Sequence, residues 1–574
     1  MNAHFKPTRL SSRLSVGTGG KQVLYNAVCA TPWDVTTASP NEPMSPAMLV
    51  SRRSLIRAAA AAPVFSLPGT LRTQSQTTLR FIPVIDLTFV DPIYSTAQVS
   101  RNHGFMVYDT LYGINSALEV SPQMVSGHVV SNDDRQWDLT LREGLLWHDG
   151  ERVLARDCVA SIRRWAARDG FGAELMAATD ELSTPDDRTI RFRLNRPFPL
   201  LPAALGKSAI QAPFMMPERL ASQDAFKPLS EVIGSGPFRF AADERVQGAR
   251  NVYARFDRYQ PREGGKSDWT AGPKIVHYDR VVWTTMPDAA TGVAALQTGE
   301  QDWQETTPHD LLPVLKRAGR VATRILDPRG YACMLRVNHL QPPFDNPAIR
   351  RALLGAIDQS AFMTAVAGDD PAYQSSPIGF FAPGTPMASD VGLDVFRGPR
   401  DMARVKADLK AAGYNGEQVV LLVPVNSLAQ KPLGDVAADM LRQAGMNVEY
   451  AGLDFGAVLQ RQLKKDPIAE GGWSAGVGNW QGIDWLNPAA NSNLRGDGKA
   501  PGWYKSEKIG VLRSQWLAAA SLAEQQRICR DIQALAFEEI PYFPIGQYKQ
   551  PTAYRTSITG ILDGTAVFWN VRPA

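Results

Sequence analysis

The spacing Gly472-Trp473-Ser474-Ala475-Gly476 fits a nucleophile elbow, the sharp strand-to-helix turn that lifts a serine hydroxyl clear of a sheet. Such a serine needs a histidine later in the chain to take its proton. The seven histidines, at positions 4, 103, 128, 148, 277, 309 and 339, all precede Ser474. A secreted serine hydrolase using Ser474 is therefore the alternative reading, and it lacks its base. Gly265-Lys266-Ser267 ends like a phosphate loop, but the leading glycine would fall on Gln260. No H-E-x-x-H occurs, and no two histidines stand three or four apart. No catalytic residue, metal or cofactor is expected. His148-Asp149 abuts a turn and reads as a hydrogen-bonded turn residue.

A different chemistry is better represented. Trp473, Trp480 and Trp485 gather around Asp484, with Gly472, Gly476, Gly478 and Gly482 between them. Tryptophan offers stacking area, a buried carboxylate offers a counter-charge, and glycine lets backbone approach a ligand. Together they can grip a small cation or amine without covalent chemistry. The same residue types also suit a tryptophan-rich core loop, since tryptophan is usually well buried. Residue types alone leave both open.

The elements around these residues call for more than one core. The chain has 574 residues, beyond the roughly 250–300 at which single cores stop growing. With 61 basic against 57 acidic residues the net charge is +4, and no block of six basic residues occurs, so a nucleic-acid groove is not expected. Cys29, Cys158, Cys333 and Cys529 form no CxxC pair, and the last three read as small buried apolar residues. A first strand is expected over Thr78 to Phe89. The alternations Trp137, Leu139, Leu141 and Ile190, Phe192, Leu194 predict half-buried strands, with a helix from Arg156 to Trp165 between them. This makes 121–227 an α+β subdomain. Lys274 to Thr284 reads as a strand and Ala289 to Thr298 as a helix closed by Gly299. Asn346 and Pro347 open a helix bearing Ile349, Leu353 and Ile357 on one face. Further on, a helix over 402–412, a strand at Val419–Val425, a helix from Pro432 to Gly445 and a strand at Met446–Leu453 imply a parallel strand pair in a separate α/β lobe.

The N-terminal region carries an address. Residues 1–47 read as a disordered or upstream leader. Arg52-Arg53 followed by Ala58 to Leu67 reads as a twin-arginine-like signal peptide over 48–77, too short and too weakly apolar to span a bilayer.

The run from Leu139 to Gly150 with Ala155-Arg156-Asp157 resembles the hallmark segment of the peptide/nickel-type periplasmic binding proteins, family 5 of the solute-binding subunits of ABC importers. Gly234 to Phe238, Ala294 to Asp302, Pro343 to Leu353, Ala411 to Tyr414 and Glu539-Ile540-Pro541 resemble further family segments in the family's order, so the resemblance spans 78–574.

That resemblance implies an α/β, two-lobed periplasmic-binding-protein fold (type II, cluster C) with an extra α+β subdomain on the first lobe. Lobe I would comprise 78–120, 228–325 and 541–574, the subdomain 121–227, and lobe II 326–540. The hinge would pass near Arg324–Gly330 and near Pro541. In peptide-binding relatives an aspartate three residues after a tryptophan holds the ligand's amino group. Counted from Trp480 that position is Ile483, and a one-residue insertion would put Asp484 there. The implied ligand-binding set is Trp480, Asp484, Trp485, Gly478, Asn479, Tyr94, Ser95 and Tyr331. The implied partners are a peptide or other small-molecule ligand and, transiently, a membrane-embedded ABC permease. The protein would be a periplasmic monomer. The residues leave the ligand open among peptide, opine, sugar, metal chelate and haem.

Overall fold

Pro83 follows the first strand directly, and proline brings no amide to a sheet ladder. Pairing therefore covers only Thr78–Ile82 of the stretch expected to reach Phe89. The computed structural model describes residues 77–574. The leader expected over 1–47 and the export signal expected over 48–77 lie outside the described residues, Thr77 apart.

Thr78–Ile82 sits inside a seven-stranded sheet and runs parallel to both neighbours, Arg280–Thr284 and Trp303–Gln304. Helix Ala289–Thr298 joins those two neighbours. Asp288 caps it through Oδ2, which accepts the Thr291 amide at 2.8 Å, and Gly299 ends it. Phe81 anchors the core of this lobe, with ring centroids 4.8–5.5 Å from Phe568, Trp303 and Trp283. The strand expected from Lys274 begins only at Arg280. Lys274 instead turns inward, and its ammonium donates to Asp109 at 2.7 Å.

Four antiparallel strands between Val125 and Leu194 form the expected subdomain sheet. Trp137, Leu139 and Leu141 alternate inward, and helix Ala155–Arg168 buries Cys158, Ile162 and Trp165. Cys333 and Cys529 are buried thiols as well.

A second sheet, of six strands, holds Tyr331–Val337 between Tyr542–Tyr548 and Ala475–Gln481. Gln418–Pro424 and Asn447–Leu453 pair in parallel across helix Gln430–Gln443, as the crossover pattern requires. Asn346 caps helix Pro347–Leu354 by accepting the Ala348 amide at 2.9 Å.

The chain thus passes between the two sheets twice, over 326–330 and over 549–550. The second passage is later than the expected boundary at 541. Tyr542–Tyr548 is fully buried beside Tyr331–Val337, so its ladder bonds hold it in the second sheet, and Pro551–Arg555 is the strand that returns to the first. Among the described residues, no helix is long and apolar enough to cross a membrane.

Candidate functional site

Strand Ala475–Gln481 leaves the second sheet beside the first passage. Gly482 donates its amide to the Gly330 carbonyl at 2.7 Å, and a Cβ at 482 would fall 2.3 Å from the Arg329 carbonyl oxygen. Only glycine permits that approach. The short 3-10 turn Gly482–Trp485 then swings Asp484 and Trp485 into a cavity of about 110 Å³. Lobe I contributes Thr96 to its wall, the subdomain contributes Asp169, Lys207 and Ile210, and the second lobe contributes Trp480, Asp484, Trp485 and Arg495.

Asp484 is buried, and its Oδ1 accepts the Ile210 amide at 3.3 Å. Burial pushes its carboxyl above the ordinary aspartate range. The cations Arg101 and Lys207 and the Ile210 amide pull in the opposite direction. Arg101 lies on helix Gln98–Val107 of lobe I, and burial lowers its guanidinium despite the nearby Asp484. Two of its nitrogens are engaged elsewhere, Nη1 donating to Gln481 Oε1 and Nη2 to Asn102 Oδ1 at 3.3 Å, while its buried Nε has no partner among the described residues. Arg101 therefore gives Asp484 a field without a direct bond. Lys207 is occupied too, pairing with Asp169 and donating to the Ile210 carbonyl at 2.8 Å. Asp169 in turn caps helix Gly170–Ala177.

Three of the eight expected ligand residues line this cavity: Trp480, Asp484 and Trp485. Trp480 has one face covered by the Arg336 guanidinium, 5.0 Å from the ring centroid. Trp485 packs on Tyr542 at 5.1 Å, and its indole N–H has no hydrogen-bond partner among the described residues. The other five lie off the cavity wall. A Cβ at Gly478 would meet the Trp480 ring at 2.5 Å, so its smallness seats that indole. Asn479 is spent between Tyr548 and Gln430, at 2.8 Å each. The Tyr94 ring packs at a tilt against Phe89 and under the Arg168 guanidinium, and Ser95 Oγ accepts the Ala97 amide at 3.2 Å. Tyr331 stacks on Tyr548 at 5.2 Å and donates to Gln98 Oε1 at 2.7 Å, which ties the second lobe to the first.

Sequence reasoning missed Arg101, Lys207, Ile210 and Arg495. The structure, not the order of residues, singles out Arg101: the polar run Ser100 to His103 lies on helix Gln98–Val107 with all four residues buried. Trp473 belongs to a separate buried cluster with Trp503 rather than to the cavity.

The nucleophile reading of Ser474 does not hold. Its side chain is fully buried, and its Oγ accepts the Val420 amide at 3.0 Å and faces the Gln418 carbonyl. Ser474 leads into a strand rather than a strand-to-helix turn. The histidine rings bond elsewhere, His148 to the Gly236 carbonyl and His339 to the Pro541 carbonyl. Among the described residues, no three His, Cys, Asp or Glu side chains gather to hold a metal ion.

The family model for bacterial extracellular solute-binding proteins, family 5, matches residues 119–501. The probable peptide ABC transporter periplasmic-binding protein y4tO of Sinorhizobium fredii is 36% identical over 537 residues, which cover 92% of this chain and all of that protein. Two solved structures share the fold at a TM-score of 0.72. One is AgaA from A. tumefaciens R10 in complex with agropinic acid, 22% identical, with 87% of this chain and 99% of that chain covered. The other is a dipeptide binding protein from Pseudoalteromonas in complex with Met-Leu, 17% identical, with 87% and all of that chain covered. At these identities the structures establish the architecture, a type II periplasmic binding protein, and nothing about the ligand.

Proposed function

The chain belongs to the bacterial extracellular solute-binding proteins, family 5, and from that premise we propose that it captures a peptide or similar small solute at the cavity around Asp484 and delivers it to a membrane-embedded ABC permease. The observation that carries the reading is the composition of the cavity wall. Both lobes and the subdomain build it, and it holds a buried carboxylate with only one weak amide contact. A wall drawn from separate bodies can exclude water when they meet, and that strengthens every polar contact to a bound solute. Asp484 would receive the ligand's ammonium group, and Trp485 would supply apolar surface. Trp480 would present only the face that Arg336 leaves free.

The finer parts of the reading rest on the sequence. Export by the twin-arginine route is supported by Arg52-Arg53 and the alanine-rich stretch behind them, and export by that route would deliver the mature protein to the periplasm. Binding without covalent chemistry is supported by membership of a solute-binding family.

Thermal unfolding of the protein with a panel of peptides, amino-acid conjugates, sugars and nickel chelates tests the reading. A true ligand at about 100 times its Kd adds about 2.7 kcal/mol to stability. Stabilisation by peptides or conjugates is the expected result. Stabilisation by none of the four classes would sink it.

A further inference from the structure

Beside the cavity, and lining no part of it, six side chains close a ring of hydrogen bonds that spans both lobes. Glu305 anchors the ring in lobe I, where its Oε1 accepts from Gln98 Nε2 at 2.7 Å and from Asn102 Nδ2 at 2.6 Å. Gln98 Oε1 accepts the hydroxyl of Tyr331, in the second lobe, at 2.7 Å. The Tyr331 oxygen accepts from Nε2 of its cross-strand neighbour Gln481 at 3.4 Å. Gln481 Oε1 accepts from Nη1 of Arg101, back in lobe I, and Arg101 Nη2 donates to Asn102 Oδ1 at 3.3 Å. Each of the three amide side chains uses its oxygen once and its nitrogen once, so the circuit closes without two donors or two acceptors meeting.

The two halves of the ring differ. The lobe I half is complete in itself: Glu305 Oε2 also accepts the Val84 amide at 2.9 Å, and Gln98, Arg101 and Asn102 share helix Gln98–Val107. Only the bonds from Tyr331 to Gln98 and from Arg101 to Gln481 cross between the lobes. Arg101, Asn102, Glu305 and Gln481 are buried, so unpairing them is costly until water can reach them. Both second-lobe members are neutral. A guanidinium meets a neutral amide with a charge-assisted bond and no full ion pair, so water can take its place when the lobes part.

We propose that this ring is a closure latch, in which Tyr331 and Gln481 are positioning residues that hold the lobes together before any ligand arrives. The half anchored in lobe I is pre-organised, so closing gains two bonds while ordering few side chains. Gln481 directly precedes the Gly482–Trp485 turn, so the latch also fixes where Asp484 stands. A latch of this kind keeps a closed fraction in the free protein, and apparent affinity scales with the competent fraction. The assignment goes beyond the solute-binding reading and needs only the two-lobed fold, not a particular ligand.

Small-angle X-ray scattering of the ligand-free, full-length protein tests the latch without any solute, so its failure is separate from a failure of the solute reading. Tyr331→Phe keeps the stack on Tyr548 and loses only the hydroxyl. It should cut the closed-to-open ratio about fivefold, seen as a larger radius of gyration. Gln481→Leu should open the lobes further, because the bond it loses comes from a charged donor, and the double variant should open them furthest. Glu305→Gln should open them as well, although the hydrogen bonds of Glu305 all lie within lobe I. Simple packing at the hinge would not respond to that change. Circular dichroism identifies any variant that fails to fold, and Tyr331→Phe, the mildest, then decides. A wild type already as expanded as the double variant, or a folded Tyr331→Phe protein as compact as the wild type, overturns the latch.

Discussion

Two buried aspartates show how differently one residue type can be used in this molecule. Asp109, beside the subdomain, is saturated. Its Oδ1 accepts from Lys274 at 2.7 Å and from the Thr110 amide at 3.0 Å, and its Oδ2 accepts from the Tyr259 hydroxyl at 2.9 Å. Lys274 also stands over the Trp569 ring at 4.7 Å. Asp484 has one amide at 3.3 Å, and the nearby guanidinium of Arg101 is bonded to Gln481 instead. A closed constellation holds a fold together. An open one is carried at a cost in desolvation, which suits the ligand-binding role proposed for Asp484.

Breaking the closed constellation should produce the largest effect. Lys274→Met leaves Asp109 buried without its cation and should cost about 3–5 kcal/mol of stability, read by urea unfolding. A loss below 1 kcal/mol would mean that the two sites do not differ as described. The open site should respond the other way. Asp484→Asn removes a charge that burial disfavours, so the ligand-free protein should hold or gain stability, while affinity for an ammonium-bearing ligand falls about tenfold or more. A destabilised Asp484→Asn variant with intact affinity would make Asp484 a second structural aspartate.

The smallest of these effects is a pH dependence. His148 accepts the Gly234 amide on Nδ1 at 3.4 Å and donates from Nε2 to the Gly236 carbonyl at 3.0 Å, so the neutral ring fits and the cation does not. Burial lowers its pKa from 6.5 to about 4. A lowered histidine leaves the unfolded chain binding more protons, so its contribution is present above 6.5 and is lost as pH falls toward 4. Asp484 works in the opposite sense. Its raised carboxyl makes the folded chain the better proton binder, so its contribution grows as pH falls. His148→Gln should flatten the acid limb of a stability–pH curve, and Asp484→Asn should steepen it. Identical curves for both variants would remove the distinction.

The sequence carried the scaffold better than the site, for a physical reason. Local signals set the parallel pair around helix Gln430–Gln443, the Asn346 cap and the stop at Gly299, and those elements formed where periodicity and capping placed them. The turn at His148-Asp149 and the segment Gly234 to Phe238 lie far apart in the chain and meet through the bond from His148 to the Gly236 carbonyl. Where a distant partner decides, local reading failed. Lys274 leaves an apparent strand to reach Asp109, 165 residues away. Tyr542–Tyr548 stays in the second sheet because Tyr331–Val337 is there to pair with it. The Trp480–Trp485 cluster with Asp484 was legible as composition. Ile210 lies 274 residues from Asp484, and nothing in the order of the chain brings it there.

The two short passages between the sheets, 326–330 and 549–550, also lie side by side, for a Cβ at Gly330 would fall 3.2 Å from the Lys549 Cα, and the Gln547 side chain just before the second passage donates to the Arg329 carbonyl. In mechanical terms two thin leaves clamped together form a flexure rather than a ball joint. Such a joint bends easily about one axis and resists twisting and sliding. A lobe moving on such a joint would return along one arc, so Asp484 would meet the Ile210 amide in one register on every stroke.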